Sequence, residues 1–183
     1  AVHGARLERH SGRGPRVVRA GSILAPPGRY FPGLYRPVAP QDLAAAALDE
    51  IAAGATWVKL IADFPGPDGN FYRPLVNYPP DTLRVLVAAA HAAGARVAAH
   101  VSGEYVVEVV RAGVDSIEHG PMLDRDLLVE LAQRGAAWTP TLWTVVGYTE
   151  PLVADDGPVG GIAREVLASL RELVPLAEQL GVT

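Results

Sequence analysis

Apolar residues along this chain recur at two periods that take turns. Leu43, Ala47, Leu48 and Ile51 are spaced at helical steps, as are Leu83, Leu86, Val87 and Ala90, and then Leu127, Leu128 and Leu131. That spacing lines one face of an α-helix. It predicts helices over Gln41–Ala53, Pro80–Ala93 and Asp124–Arg134, a short valine-rich one over Glu104–Ala112, and a long last one over Gly161–Leu180. Pro40 and Asp124 suit helix starts. Proline lacks an N–H that would go unpaired there, and a carboxylate accepts from a free amide.

Short runs that are apolar on both faces separate these helices: Arg16–Ala20, Thr56–Ile61, Arg96–His100, Ser116–His119 and Ala136–Thr139. Four times a helix gives way to a strand through glycine, at Gly54, Gly94, Gly113 and Gly135. Glycine takes the left-handed conformation past a helix end without steric cost. Doubly apolar strands alternating with helices belong to a parallel sheet joined by right-handed crossovers. An open doubly wound sheet and a closed eight-unit barrel both have this order. The polar residues favour the barrel. Lys59, His100 and His119 lie at or near the C-terminal ends of three successive strands, and barrel strand ends converge on one mouth.

The fold class is therefore read as α/β, an incomplete (β/α)8 TIM barrel, in a single domain over residues 1–183. Complete barrels usually need about 250 residues. With five strands and a further one beginning at Gly181-Val182, the chain is expected to be truncated at both ends.

Composition narrows the function classes. A hydrophobic share of 49% excludes general disorder. A net charge of −4 and a pI near 5.7 argue against nucleic acid or an anionic membrane as partner. Basic residues cluster only over Arg6–Arg19, a stretch too short and glycine-broken for a DNA-binding helix. Without cysteine there are no disulfides and no thiolate ligands, which suits a cytoplasmic location. Apolar stretches break well short of the ~18 residues a membrane span needs, and no signal peptide is expected.

Candidate chemistry starts at Lys59, inside the apolar run "TWVKLIAD", where a charged ammonium is costly to bury. Three readings stand: a stem packed with its ammonium at the mouth, a neutral amine forming a Schiff base, or an amine adding carbon dioxide to become a metal-bridging carbamate. His100 and His119 favour the last. Imidazole is the commonest metal ligand, and Schiff-base chemistry gives no reason for two neighbouring imidazoles. Tyr72 and Arg73, in the Pro/Gly-rich loop after Lys59, are candidates for binding a substrate carboxylate or carbonyl. His91, on a helix, reads as a packing or surface residue.

The run "ATWVKL … AAHAAGARVAAHVSG … AGVDSIEHGPMLDRDLLVELAQRGAAWTPTL" resembles the amidohydrolase superfamily, in its imidazolonepropionase-like and prolidase-like branch. The resemblance implies a (β/α)8 barrel over approximately the third to seventh units with the start of the eighth strand, holding one or two divalent metals, usually Zn2+. It implies that Lys59 is carboxylated and bridges the metals, and that His100 and His119 ligate the more exposed one. Glu118 is expected to point away. "ILAPPGRYFPGLYRP" becomes a loop after the third strand, with Tyr30, Phe31 and Tyr35 lining the pocket. The reaction implied is hydrolysis of an amide or other C–N bond by a metal-activated water, on a small amide or peptide-like substrate.

Two parts of the family pattern are absent. The early histidines, His3 and His10, do not form the first-strand His-X-His pair, and no catalytic eighth-strand aspartate precedes Thr183. The chain alone is thus expected to be inactive. Alternatives are a non-catalytic barrel remnant that associates with another chain or with copies of itself, and a Schiff-base lyase using Lys59.

Overall fold

The structure, a computed structural model, describes residues 18–182. Strands β1 (Ile23–Ala25) and β2 (Arg36–Pro37) come first, then helix α1 (Leu43–Ala52). Strand β3 (Trp57–Ile61) leads into a small antiparallel hairpin, β4 (Asp63–Phe64) and β5 (Leu75–Val76). Helix α2 (Pro80–Ala92), strand β6 (Arg96–Val101), helix α3 (Val106–Ala112) and strand β7 (Ser116–His119) follow. Helix α4 (Arg125–Arg134), strand β8 (Ala137–Thr139) and helices α5 (Leu142–Thr149) and α6 (Pro158–Leu180) complete the order.

Six strands form one parallel sheet in the order β2-β1-β3-β6-β7-β8. Apart from the two-residue β2, which pairs on the outer side of β1, the strands follow one another across the sheet in chain order. Right-handed crossovers between successive neighbours then lay every helix on the same face, and α1, α2, α3 and α4 do pack side by side. A doubly wound sheet needs a reversal to cover both faces. The arrangement is compatible with part of a (β/α)8 barrel. Val58, Leu60, Val97, Ala99, Val101 and Ile117 fill the layer between sheet and helices, all fully buried.

Most boundaries agree with the pattern reading to within two or three residues. Asp124 caps α4 by accepting from the Leu127 amide at 2.8 Å, and the four helix-ending glycines all have positive φ. The first strand does not agree. Residues 16 and 17 lie outside the described part, and 18–20 carry no strand. Gly21, at φ +66°, turns the chain, the Ser22 amide donates to Glu50 Oε2 at 3.0 Å, and Ile23–Ala25 pairs with Lys59 and Leu60 instead. Both runs are short and apolar, so pairing with β3 made the choice. Leu48 is exposed and Ala46 buried, which rotates α1 by one position from the expected face. Helix α5 was not anticipated: its β-branched and aromatic run "LWTVVGYT" is a poor helix former. Packing of α5 against α6 overrides that preference. His3 and His10 lie outside the described residues.

Candidate functional site

Parallel register partners share a sheet face, and side chains alternate along each strand. Lys59, Ala98 and Ser116 are aligned, and two residues on so are Ile61, His100 and Glu118. This set faces away from the helices. His119 pairs with Val101, a helix-facing residue, so regular alternation would send its imidazole into the helix layer.

The backbone prevents that. His119 adopts φ +69°, a left-handed conformation that costs a non-glycine residue about 1–3 kcal/mol. The imidazole thereby comes to lie beside that of His100, ring centroids 4.7 Å apart. Two contacts hold it. Trp138 Nε1 donates to the His119 carbonyl at 2.9 Å, and Nδ1 pairs with Thr141 Oγ1 at 2.6 Å. Thr141 is itself left-handed at φ +45°. Two strained residues in contact at one strand end support each other and the site.

Burial governs the electrostatics. It lowers Lys59 to about 8, against a partial opposing pull from Glu118, whose Oε2 lies 4.0 Å from Nζ. Burial, then His119 and Lys59, pushes His100 down to about 3. His119 is lowered as well, by burial and then by Lys59. Both imidazoles are therefore neutral at pH 7, and Lys59 gives up its proton more readily than an ordinary lysine. His100 Nε2 is buried without a hydrogen-bond partner, with Asp63 Oδ1 4.0 Å away.

Glu118 departs from expectation. It points inward, toward Lys59, and its Oε1 accepts from Ser116 Oγ at 2.7 Å. Asp63 received no role from the sequence, yet it is fully buried at the hairpin's start. Its Oδ1 accepts from the Ser102 amide at 2.8 Å and hydroxyl at 3.0 Å, and Oδ2 from the Gly103 amide at 2.9 Å. Burial still raises its pKa, with those bonds opposing. The loop after His100 is thus tied to the loop after Lys59. A further signal was legible: Lys59 is the only lysine among the chain's sixteen Lys and Arg residues.

A cavity of about 310 Å³ opens beside the imidazoles. Tyr30, Phe31, Phe64, Phe71, Tyr72 and Tyr148 wall it, and His100, His119 and Ser102 also contribute surface. Tyr35 does not line it; its hydroxyl accepts from the Gly28 amide at 2.7 Å. Tyr72 is buried, its hydroxyl paired with Thr149 Oγ1. Arg73 is exposed and lies in a separate groove with Glu104 and Glu165. His91 sits on the surface with Asp115 Oδ2 2.8 Å from its Nε2.

No protein-family model matches the chain. Uncharacterised proteins of Mycobacterium bovis and Mycobacterium tuberculosis are 36% identical to it over 143 residues. That match takes in 77% of this chain, which spans 38% of the length of those curated relatives. Among solved structures, ochratoxinase of A. niger superposes with a TM-score of 0.71 at 19% identity, over 93% of this chain and 45% of that one. A Xaa-Pro dipeptidase with methionine bound in its active site gives 0.64 at 24%, and an amidohydrolase 0.66 at 25%. Each covers 93% of this chain and 47% of its own. The structural neighbours are prolidase-like and amidohydrolase proteins. Among the described residues no helix is long and apolar enough to cross a membrane.

Proposed function

We propose that this chain is part of a metal-dependent hydrolase that cleaves an amide or other C–N bond, with Lys59, His100 and His119 as the metal ligands. The observation that carries this reading is the buried, unpartnered Nε2 of His100. An orphaned polar atom at that depth is costly, and a ligand would satisfy it. Beside it lies a second neutral imidazole, and the chain's only primary side-chain amine is near enough to act on both rings electrostatically. The donor set fits a divalent ion, zinc by resemblance, once the amine gains a carboxylate. Among the described residues no three His, Cys, Asp and Glu side chains cluster as a metal site, and this reading assigns the third ligand to a carboxylated Lys59.

A divalent ion held there would polarise the substrate carbonyl and acidify water. The residues prepare for it. The neutral fraction of Lys59 attacks carbon dioxide, forming an N–C bond and releasing one proton to solvent, which leaves an anionic carbamate. Thr141 and Trp138 fix the His119 ring and carbonyl. Asp63 secures the backbone immediately after His100. No carboxylate lines the cavity among the described residues, and we propose that the proton shuttle is supplied from outside them and that the chain alone binds metal without turnover.

The lowered basicity of Lys59 also suits imine formation, and the two readings separate experimentally. With 13C-labelled carbon dioxide and zinc, a carbamate carbon resonance and at least one equivalent of bound zinc are expected. Both should vanish in Lys59→Ala. Borohydride trapping of a carbonyl compound on Lys59, unaffected by chelator and with no zinc bound, would overturn the hydrolase reading in favour of a lyase.

A further inference from the structure

We infer that the cavity seats an uncharged aromatic ring of the substrate, with the bond to be cleaved lying against His100 and His119. This rests on the reading of those imidazoles as the reacting centre.

The wall is a chain of ring contacts. Tyr30 meets Phe31 at 5.1 Å and Phe64 at 5.2 Å between centroids, and Phe31 meets Phe64 at 5.2 Å. Phe64 continues to Phe71 at 6.2 Å, and Phe71 to Tyr148 at 5.3 Å. The rings reach the reacting centre, since His100 lies 6.3 Å from Tyr30 and 6.4 Å from Phe64. All seven pairs are tilted or edge-on, the arrangement that leaves edges and faces for one more ring. A volume of about 310 Å³ is at the small end of ligand cavities, room for a single ring and its linker.

Charge is excluded from this wall. No Arg, Lys, Asp or Glu side chain lines it among the described residues. Arg29, on the loop that bears Tyr30, directs its guanidinium elsewhere. Its guanidinium donates to the carbonyls of Phe64 at 2.7 Å, Leu75 at 3.0 Å and Pro65 at 3.2 Å, and to Asn77 Oδ1 at 2.9 Å. Those bonds fasten the loop bearing Tyr30 and Phe31 to the hairpin bearing Phe64. The Tyr72–Thr149 pair fastens the hairpin loop to α5, which carries Tyr148. The rings are therefore held in place before a ligand arrives, which lowers the cost of binding. A dipeptide, charged at both ends, finds no counter-charge in this wall.

The test is calorimetric titration of the 183-residue chain with phenylacetamide, acetamide and 4-carboxyphenylacetamide, each with zinc and with chelator. Phenylacetamide is expected to bind at least about tenfold more tightly than either of the others, because only it offers a ring without a charge. Phe31→Ala and Tyr148→Ala, both at partly exposed positions that the fold tolerates, should each weaken it about fivefold. Val85→Ala, on the outer face of α2, should leave it unchanged. Equal affinity for acetamide, tolerance of the ring carboxylate, or indifference to both aromatic substitutions would overturn the inference. Zinc binding measured on the same samples reports separately. Zinc bound with the wrong probe ranking defeats the ring assignment alone, whereas the expected ranking without zinc affinity supports it and defeats only the metal reading.

Discussion

Lys59, His100 and His119 stand on three neighbouring strands whose register sets their spacing, while the rings around them come from two loops and α5. In the first group, backbone ladders in the middle of a sheet place Lys59 and His100, and a left-handed residue at a strand end places His119. The second is placed by a handful of side-chain bonds, chiefly those of Arg29, Asn77 and Tyr72. A strand-borne group should therefore survive most single substitutions nearby, whereas a loop-borne wall should loosen when one fastening is lost. The division suits a site in which rigid strands hold the chemistry and loops select the substrate.

Asp63 ties the loop after His100 to the hairpin that bears Phe64, and removing it is expected to have the largest effect. Asp63→Ala would leave two amides and a hydroxyl unpaired at full burial, a loss of about 4 kcal/mol in urea denaturation. A loss under about 1 kcal/mol would show that strands and loops are not coupled through it.

Lys59→Met should act in the opposite direction in metal-free, carbon-dioxide-free buffer. Lys59 is lowered from the ordinary lysine value to about 8, so the folded chain holds fewer protons than the unfolded one between about pH 8 and the unfolded value of ~10.4. Its burial penalty is thus fully present below pH 8 and gone above that window. The substitution is expected to stabilise the chain by roughly 3 kcal/mol at pH 7, with the gain fading as pH rises through the window. A gain that did not change with pH would mean that packing, not charge, is responsible.

Arg29→Met should cost less, about 2 kcal/mol, because the guanidinium is partly exposed and water replaces some of its bonds. Its signature is selective: aromatic probes should bind more weakly while zinc affinity stays the same. Equal loss of both would erase the distinction between wall and strand set. The smallest effect belongs to Trp143→Ala, which at 94% exposure lies outside both groups and should shift stability by less than about 0.5 kcal/mol.

The contrast also explains what could be read from the chain without coordinates. Ser116–His119 was legible to the residue, and Lys59, His100 and His119 stood out because polar groups are rare in doubly apolar strands. Yet alternation alone would have chosen Glu118, not His119, for the inner face. Only the left-handed backbone at His119 brings its ring round, and Thr141, twenty-two residues later, helps to hold it. Asp63 sits in plain view in "TWVKLIAD" and still carried no signal, because an aspartate after a strand usually caps a turn. The register shift at the first strand and the unforeseen α5 have a common cause: two short segments of similar propensity are separated only by what they pack against.

By itself the sequence determined the alternation of helix and strand and the strands that carry the polar residues, because periodicity and helix-ending glycine act over a few residues of local backbone. Tertiary structure decided which way His119 turns, which carboxylate faces Lys59, and that six rings and the Arg29 bonds close around two imidazoles. Those outcomes join residues tens of positions apart, and they depend on the paths of loops that no local period records.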